Sequence, residues 1–348
     1  MRKYAVLSNP GYNKVYFKAS PKLSVSELAI AAQKMASQPK NIVYMKIAGT
    51  DYLTFTADSG LQAPDIEILS SLSFIYALFE IVEFEGSALL RPIERLDRHY
   101  IDESISTILK YTGKTNEIFT RLLINAAFYS QSRTRDINLL DPVAGKGTTL
   151  YEGLIKGFDV YGVEIGEKAA AEAYHFVKKF LETEKYKHKS DILRISGPGK
   201  SFISKKYSFE IAKTKDDLKE NRARRLEIIE GNSFNITKFY KKDFFDIIVG
   251  DLPYGVRHGN VTNQKQSSLT RNPSELLELC MPAWADVLKP GGAIALSWNV
   301  NVLPRISIEQ ICSRCGLNVK TGAAYDGFEH KVDQSIKRDI IIATKGGL

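Results

Sequence analysis

With 348 residues, 44% hydrophobic and 25% charged, the chain is too long for one ordinary core and too apolar for a disordered chain or a fibre. Two domains of unequal size suit it. The net charge of +8 is concentrated: Lys178 to Arg225 holds 15 basic and 7 acidic residues, and the rest of the chain is neutral.

From the N-terminus, Tyr4 to Ser8 reads as a strand and Ser24 to Met35 as a Ser-capped helix. Asn41 to Ile47 and Tyr52 to Thr56 alternate as two strands around Gly49-Thr-Asp51. Ala63 to Val82 reads as a long helix and Ser87 to Pro92 as a strand. This β-α-β-β-α-β order predicts a small α+β, ferredoxin-like accessory domain over residues 1–95 that positions the substrate. The mostly apolar run Leu69 to Val82 spans about 14 residues, and a membrane span needs about 20, so a buried helix is expected there.

Met1-Arg-Lys-Tyr4 leads straight into a strand and a Pro-Gly turn, which reads as the absence of a signal peptide. Cys280, Cys312 and Cys315 cannot build a disulfide framework. Cys312-Ser-Arg-Cys315 has no second pair to complete a zinc site, so no metal is implied. These features predict a cytoplasmic protein with ordinary thiols.

Residues 96–117 read as a polar connector with a short helix over Ile101 to Leu109. From residue 118 to 348 strands alternate with helices. The strands are Ile137 to Leu140, Asp159 to Val163, Leu226 to Glu230, Phe245 to Val249 and Ala293 to Trp298. The helices are Thr148 to Lys156, Glu167 to Leu181, Pro273 to Leu288 and Ile306 to Cys315. An antiparallel pair, Asn318 to Tyr325 with Ile340 to Thr344, follows. The alternation predicts an α/β domain with a parallel sheet that binds ligands at the C-terminal strand ends. A basic insertion at about 185–225 interrupts it. That insertion is either a phosphate-binding element or a solvated, mobile excursion.

Four motifs carry chemistry. The first is Asp141-Pro-Val-Ala-Gly-Lys-Gly-Thr-Thr149, at a strand-to-helix junction. Its glycines let a ligand approach the backbone, and Thr148 starts the helix. A P-loop needs its lysine after the second glycine, and a dinucleotide loop needs a small residue where Leu150 stands. The remaining reading is an S-adenosylmethionine loop, D-x-x-x-G-x-G. The second is Glu164, 19 residues beyond Gly145, placed to accept hydrogen bonds from ribose hydroxyls. The third is Gly231-Asn232-Ser233, where a side-chain amide can meet an adenine edge.

The fourth, Asp251-Leu252-Pro253-Tyr254, ends a strand. An exocyclic amine is a poor nucleophile because its lone pair is delocalised into the ring. Asp251 and the Leu252 carbonyl can accept its N–H bonds, oppose the positive charge that grows on nitrogen and aim the lone pair. Tyr254 can stack on the base.

The region from about Gly113 to Leu348 resembles the RNA methylase family that includes the tRNA guanine-N2 methyltransferases. These are class I enzymes with a Rossmann-like, mostly parallel seven-stranded sheet and an antiparallel C-terminal strand. Asp141 to Thr149 is similar to their motif I, Glu164 to their motif II acid, and Asp251 to Tyr254 to their D/N-P-P-Y motif IV. The resemblance implies S-adenosyl-L-methionine as cofactor. Around motif I it would be held by Asp141, Pro142, Ala144, Gly145, Gly147 and Thr148. Glu164, Ile165, Asn232, Ser233 and Asp251 would complete the site. Gly113-Lys-Thr-Asn116 with Phe119 is similar to the segment that closes over the methionine end, which brings in Thr115, Asn116 and Phe119. Leu252 departs from the family's first proline, and Asn232 from its motif III Asp.

Arg257, His258, Lys205 and Lys206 are the candidate substrate contacts, with Arg271 further on. Tyr186, Phe202, Tyr207 and Phe209 interleave the basic stretch and are candidates to stack a loop base. The leading expectation is methylation of guanine N2 in tRNA. rRNA, and DNA at adenine N6 or cytosine N4, are alternatives. A protein-glutamine substrate would need no basic field. A catalytically inactive RNA-binding scaffold is the non-enzymatic alternative.

Overall fold

Alternating burial along short strands builds the first sheet. In the computed structural model, which describes residues 1–10, 14–111, 113–197, 202–253 and 273–347, the chain divides into two compact units. They are Met1–Arg98 with Lys320–Asp339, and His99–Val319 with Ile340–Leu348.

The first unit contains β1 (Arg2–Ser8), α1 (Lys14–Ala32), β2 (Lys40–Ile47), β3 (Thr50–Ala57), α2 (Ala63–Ser70), β4 (Ile75–Phe84) and β5 (Ser87–Ile93). The sheet is antiparallel in the order β2-β3-β1-β4-β5. The first four strands have the ferredoxin-like order, and β5 adds a fifth at the edge. Tyr4, Val6, Leu53, Phe55 and Leu78 are buried, as are Leu23 and Leu28 of α1.

The helix expected over 63–82 is corrected: α2 stops at Ser70, and Ile75–Phe84 is a strand paired with β1. A serine-rich stretch breaks the helix. Ser71 caps it, and the Ser73 N–H donates to the buried Glu27 carboxylate at 2.8 Å. The residues after Phe74 are mainly β-branched and aromatic and alternate in burial, which suits a pleated strand.

The second unit is doubly wound. β6 (Asn138–Asp141), β7 (Asp159–Glu164) and β10 (Arg224–Glu230) pair in parallel on one side. β11 (Phe245–Asp251) and β12 (Leu288–Asn299) pair in parallel on the other. β13 (Leu317–Val319) and β15 (Lys337–Lys345) complete that side as an antiparallel pair, and the two-residue β14 (His330–Lys331) also pairs antiparallel with β15. The order β13-β15-β12-β11-β6-β7-β10 reverses between β6 and β11, and α/β sheets bind their ligands at such a switch point.

The helices follow from apolar stripes. α4 (Glu117–Ser130) and α5 (Thr148–Ile155) bury most of their residues, and α6 (Glu167–Thr183) buries one face. α8 (Ile236–Phe239), α9 (Pro273–Val287) and α10 (Arg305–Arg314) join a core around Trp284 and Trp298. The short helix predicted over 101–109 is the single turn α3 (Ser104–Thr107). At the N-terminal ends of the strands, buried Asp246 accepts from Asn138 N at 2.9 Å and Lys289 Nζ at 2.7 Å, which ties β6, β11 and β12 together.

The basic stretch is a folded part of the sheet. β8 (Lys187–Ser196) and β9 (Ile203–Ala212) form an antiparallel hairpin, and β9 pairs antiparallel with β10. The short helix α7 (Lys215–Lys219), capped by Thr214, returns the chain to β10. The sheet is therefore wider than the seven strands expected.

Candidate active site

The glycine loop follows β6. Gly145 and Gly147 have φ of 54° and 93°, a region that costs most other residues energy. A Cβ built on Gly145 meets no atom of the other described residues within 4 Å, which leaves room for a ligand in front of the loop. Gly147 caps α5, and buried Thr148 begins it. Ala144 is buried and donates its N–H to Val163 O at 3.0 Å, and Pro142 is buried beside it.

Glu164 holds this loop. Its Oε2 accepts from Gly145 N at 2.8 Å and its Oε1 from Gly166 N at 2.7 Å. Burial nevertheless raises its pKa above the ordinary range. Asp141 accepts from Val143 N at 2.9 Å, and burial pushes its pKa up to about 7, helped by the charges of Glu164 and Asp251. Three carboxylates thus crowd one strand-end cleft. Among the described residues, no group of three His, Cys, Asp or Glu side chains has an arrangement that would hold a metal ion. The crowding favours the protonated form of Asp141, and a bound organic cation would favour its ionised form.

Ile165 and Phe234 present exposed apolar side chains at the same ends of the neighbouring strands β7 and β10. Phe234 was not singled out in the sequence; the signal was an aromatic residue two positions after Asn232. Asn232 is exposed, and its Oδ1 accepts from Phe234 N at 2.9 Å, starting a 3₁₀ turn over Ser233–Asn235. Ser233 is buried, and its hydroxyl accepts the indole N–H of Trp284 at 2.9 Å.

Asp251 ends β11, beside β6, so motifs I and IV flank the switch point. Its Oδ2 accepts from the Thr115 hydroxyl at 2.5 Å, and its Oδ1 accepts from the Ser297 hydroxyl. Ser297 lies opposite Asp251 on β12 and was not found in the sequence. Asn116 caps α4 by accepting from Phe119 N at 3.1 Å, and Phe119 is fully buried. The Leu252 side chain lies in the core, and its N–H donates to Ser297 O at 2.8 Å, a bond proline cannot make. Pro253 is half-buried next to it. Tyr254, Arg257, His258 and Arg271 lie outside the described residues.

The hairpin lysines have acidic partners. Lys206 pairs with Glu227 at 2.5 Å, and Lys205 with Glu230 at 3.7 Å. Two of the aromatic expectations are corrected: Tyr207 and Phe209 are buried against Tyr174 because they point to the α6 side of the sheet. Phe202 packs edge-on to Phe239, and Tyr186 uses its hydroxyl to accept from Asp102 N at 3.0 Å. Cys280 and Cys312 are core residues whose thiols burial pushes up to about 12.

Residues 123–291 match the family described as "RMKL-like, methyltransferase domain" (UPF0020). No curated protein matches the chain in sequence. Among solved structures, TrmN from Thermus thermophilus is similar at 16% identity and a TM-score of 0.41, over 74% of this chain and 56% of that one. The chain thus spans little more than half of that relative's length. A TehB-like SAM-dependent methyltransferase from Corynebacterium glutamicum is similar at 15% identity and a TM-score of 0.35, over 64% of this chain and 85% of that one. An rRNA methylase from Streptococcus thermophilus is similar at 10% identity and a TM-score of 0.30, over 61% and 87%. Likeness at this level assigns no substrate.

Residues 123–291 therefore carry a methyltransferase domain, and S-adenosylmethionine is its cofactor. The open glycine loop, the ordered Glu164 carboxylate and the cluster of carboxyl groups fit that cation. Among the described residues no helix is long and apolar enough to cross a membrane.

Proposed function

We propose that the chain methylates an exocyclic amine of an RNA base, guanine N2 in tRNA, in the cytoplasm. The observation that carries this reading is Asp251 at the end of β11, one strand from the glycine loop and oriented by two hydroxyls. When bound, S-adenosylmethionine supplies the electrophilic methyl group.

Asp251 and the Leu252 carbonyl accept the two N–H bonds of the amine. They stabilise the charge that grows on nitrogen and hold its lone pair in line. The surplus proton leaves to water. Glu164 takes the ribose hydroxyls, and Asp141 faces the cationic end of the cofactor. Thr115 and Asn116 form the N-terminal wall of the site, with Phe119 buried behind them. Arg257 and His258 meet the base or its phosphate. The target base must leave its stack to reach Asp251.

The excess charge of +8 between Lys178 and Arg225 supports an RNA partner, since phosphate contacts dominate nucleic-acid affinity. The positioning domain expected over residues 1–95 corresponds to the first compact unit, Met1–Arg98 with Lys320–Asp339. The test is transfer of labelled methyl to tRNA, rRNA and genomic DNA from cells lacking the gene, with Asp251→Ala in parallel. Label in tRNA that the variant does not give is the expected result. Label in DNA alone moves the substrate to adenine N6 or cytosine N4.

A further inference from the structure

We infer that Ser297 and Thr115 are positioning residues for the methyl acceptor, acting together as a two-hydroxyl clamp on Asp251. The inference rests on the reading of Asp251 as the acceptor of the amine N–H. Ser297 is fully buried on β12, and Asp251 is its direct cross-strand partner. A buried hydroxyl needs a partner, and the Ser297 hydroxyl donates to Oδ1 of Asp251. Thr115 reaches Oδ2 of the same carboxylate at 2.5 Å from a segment 136 residues earlier in the chain. One donor on each oxygen fixes both the rotamer and the plane of the group.

Ser297 also grips the next residue. Its main-chain carbonyl accepts the Leu252 N–H at 2.8 Å. A single strand position therefore holds Asp251 by its side chain and Leu252 by its backbone, the two residues that would face the amine. This gives Leu252, in place of the family's first proline, a positive use: its N–H continues the β11–β12 ladder one residue into the motif. The Leu252 carbonyl is thereby aimed by the sheet rather than by a rigid ring.

The clamp also decides what Asp251 does. Asp251 then orients the amine and offsets its charge, and the proton goes to water.

The test uses the full chain with Ser297→Ala, Ser297→Thr, Thr115→Ala and Thr115→Ser. Measured are kcat, KM for RNA and cofactor affinity by calorimetry. Ser297→Ala and Thr115→Ala should each lower kcat by about 10–100-fold, the scale of a misplaced reacting group. Cofactor affinity should change less than threefold, and the conservative hydroxyl variants should recover most of the rate.

A rise in KM or Kd for the cofactor with kcat unchanged would overturn the clamp and return Thr115 to a cofactor role. Equal loss in the alanine and conservative variants would reduce both hydroxyls to structural ones. Failure of the wild-type chain to methylate any RNA overturns the underlying reading instead, and is told apart because it precedes any comparison of variants.

Discussion

The carboxylate of Glu164 accepts the Gly145 N–H at 2.8 Å, which ties the end of β7 to the glycine loop after β6. The same side chain accepts from Gly166 at 2.7 Å, so its orientation is set by protein before any ligand arrives. Glu164→Ala should therefore do two things. It removes the expected ribose contact and frees the loop. A hydrogen bond to a charged group is worth about 1.5–3 kcal/mol. Cofactor affinity should fall by one to two orders of magnitude by calorimetry, and the melting temperature of the cofactor-free protein should fall too. Unchanged affinity would remove Glu164 from the cofactor site.

Asp141 predicts a pH dependence of known sign. Its folded pKa of about 7 lies above the ordinary 3.8. Between those values the native state holds a proton that the unfolded chain has lost. This group therefore makes the cofactor-free protein less stable as pH rises from about 4 to about 7. A cationic cofactor favours the ionised form, so its binding should release a proton, and its affinity should rise from pH 6 to 8. Titrations in two buffers of different ionisation enthalpy would detect that proton. Asp141→Asn should flatten the dependence.

Leu252→Pro restores the family's motif and should nonetheless harm this protein. It deletes the N–H that meets Ser297 O at 2.8 Å and replaces a core side chain. Leaving a buried acceptor unmatched costs about 1–3 kcal/mol. Denaturant melts should show a loss of at least that size, with methyl transfer reduced rather than raised.

Ser233→Ala separates two roles for one residue. The sequence placed Ser233 on the cofactor, but its hydroxyl accepts from the Trp284 indole at 2.9 Å in a buried setting. The variant should lose about 1–3 kcal/mol of stability through the unpaired indole N–H, with cofactor affinity unchanged. Loss of affinity at full stability would restore the sequence reading.

Much of the catalytic unit was legible in the sequence, because its strands end where its motifs begin. Asp141, Glu164 and Asp251 each close an apolar run, and the glycine spacing is local information. The error at 63–82 came from a run too apolar for its periodicity to decide. Ser70 to Ser73 was the break, and only pairing with β1 made Ile75–Phe84 a strand. Ser297, and the contact of Thr115 with Asp251, were hidden for another reason. Their meeting at Asp251 depends on the β11–β12 register and on a 136-residue separation, neither of which spacing along the chain encodes. The stacking role expected of Tyr207 and Phe209 failed because a basic stretch that reads as an excursion folds as sheet. Alternate residues then turn inward onto α6.

The most direct test of the account is nucleoside mass spectrometry on unmodified tRNA incubated with S-adenosylmethionine and either the wild-type chain or Asp251→Asn. The account predicts N2-methylguanosine with the wild-type chain and, with the variant, a rate lower by about 10²-fold or more, the scale of losing one well-placed transition-state partner. A variant as fast as the wild type, or a methyl group found on carbon or on a ribose oxygen, would contradict it.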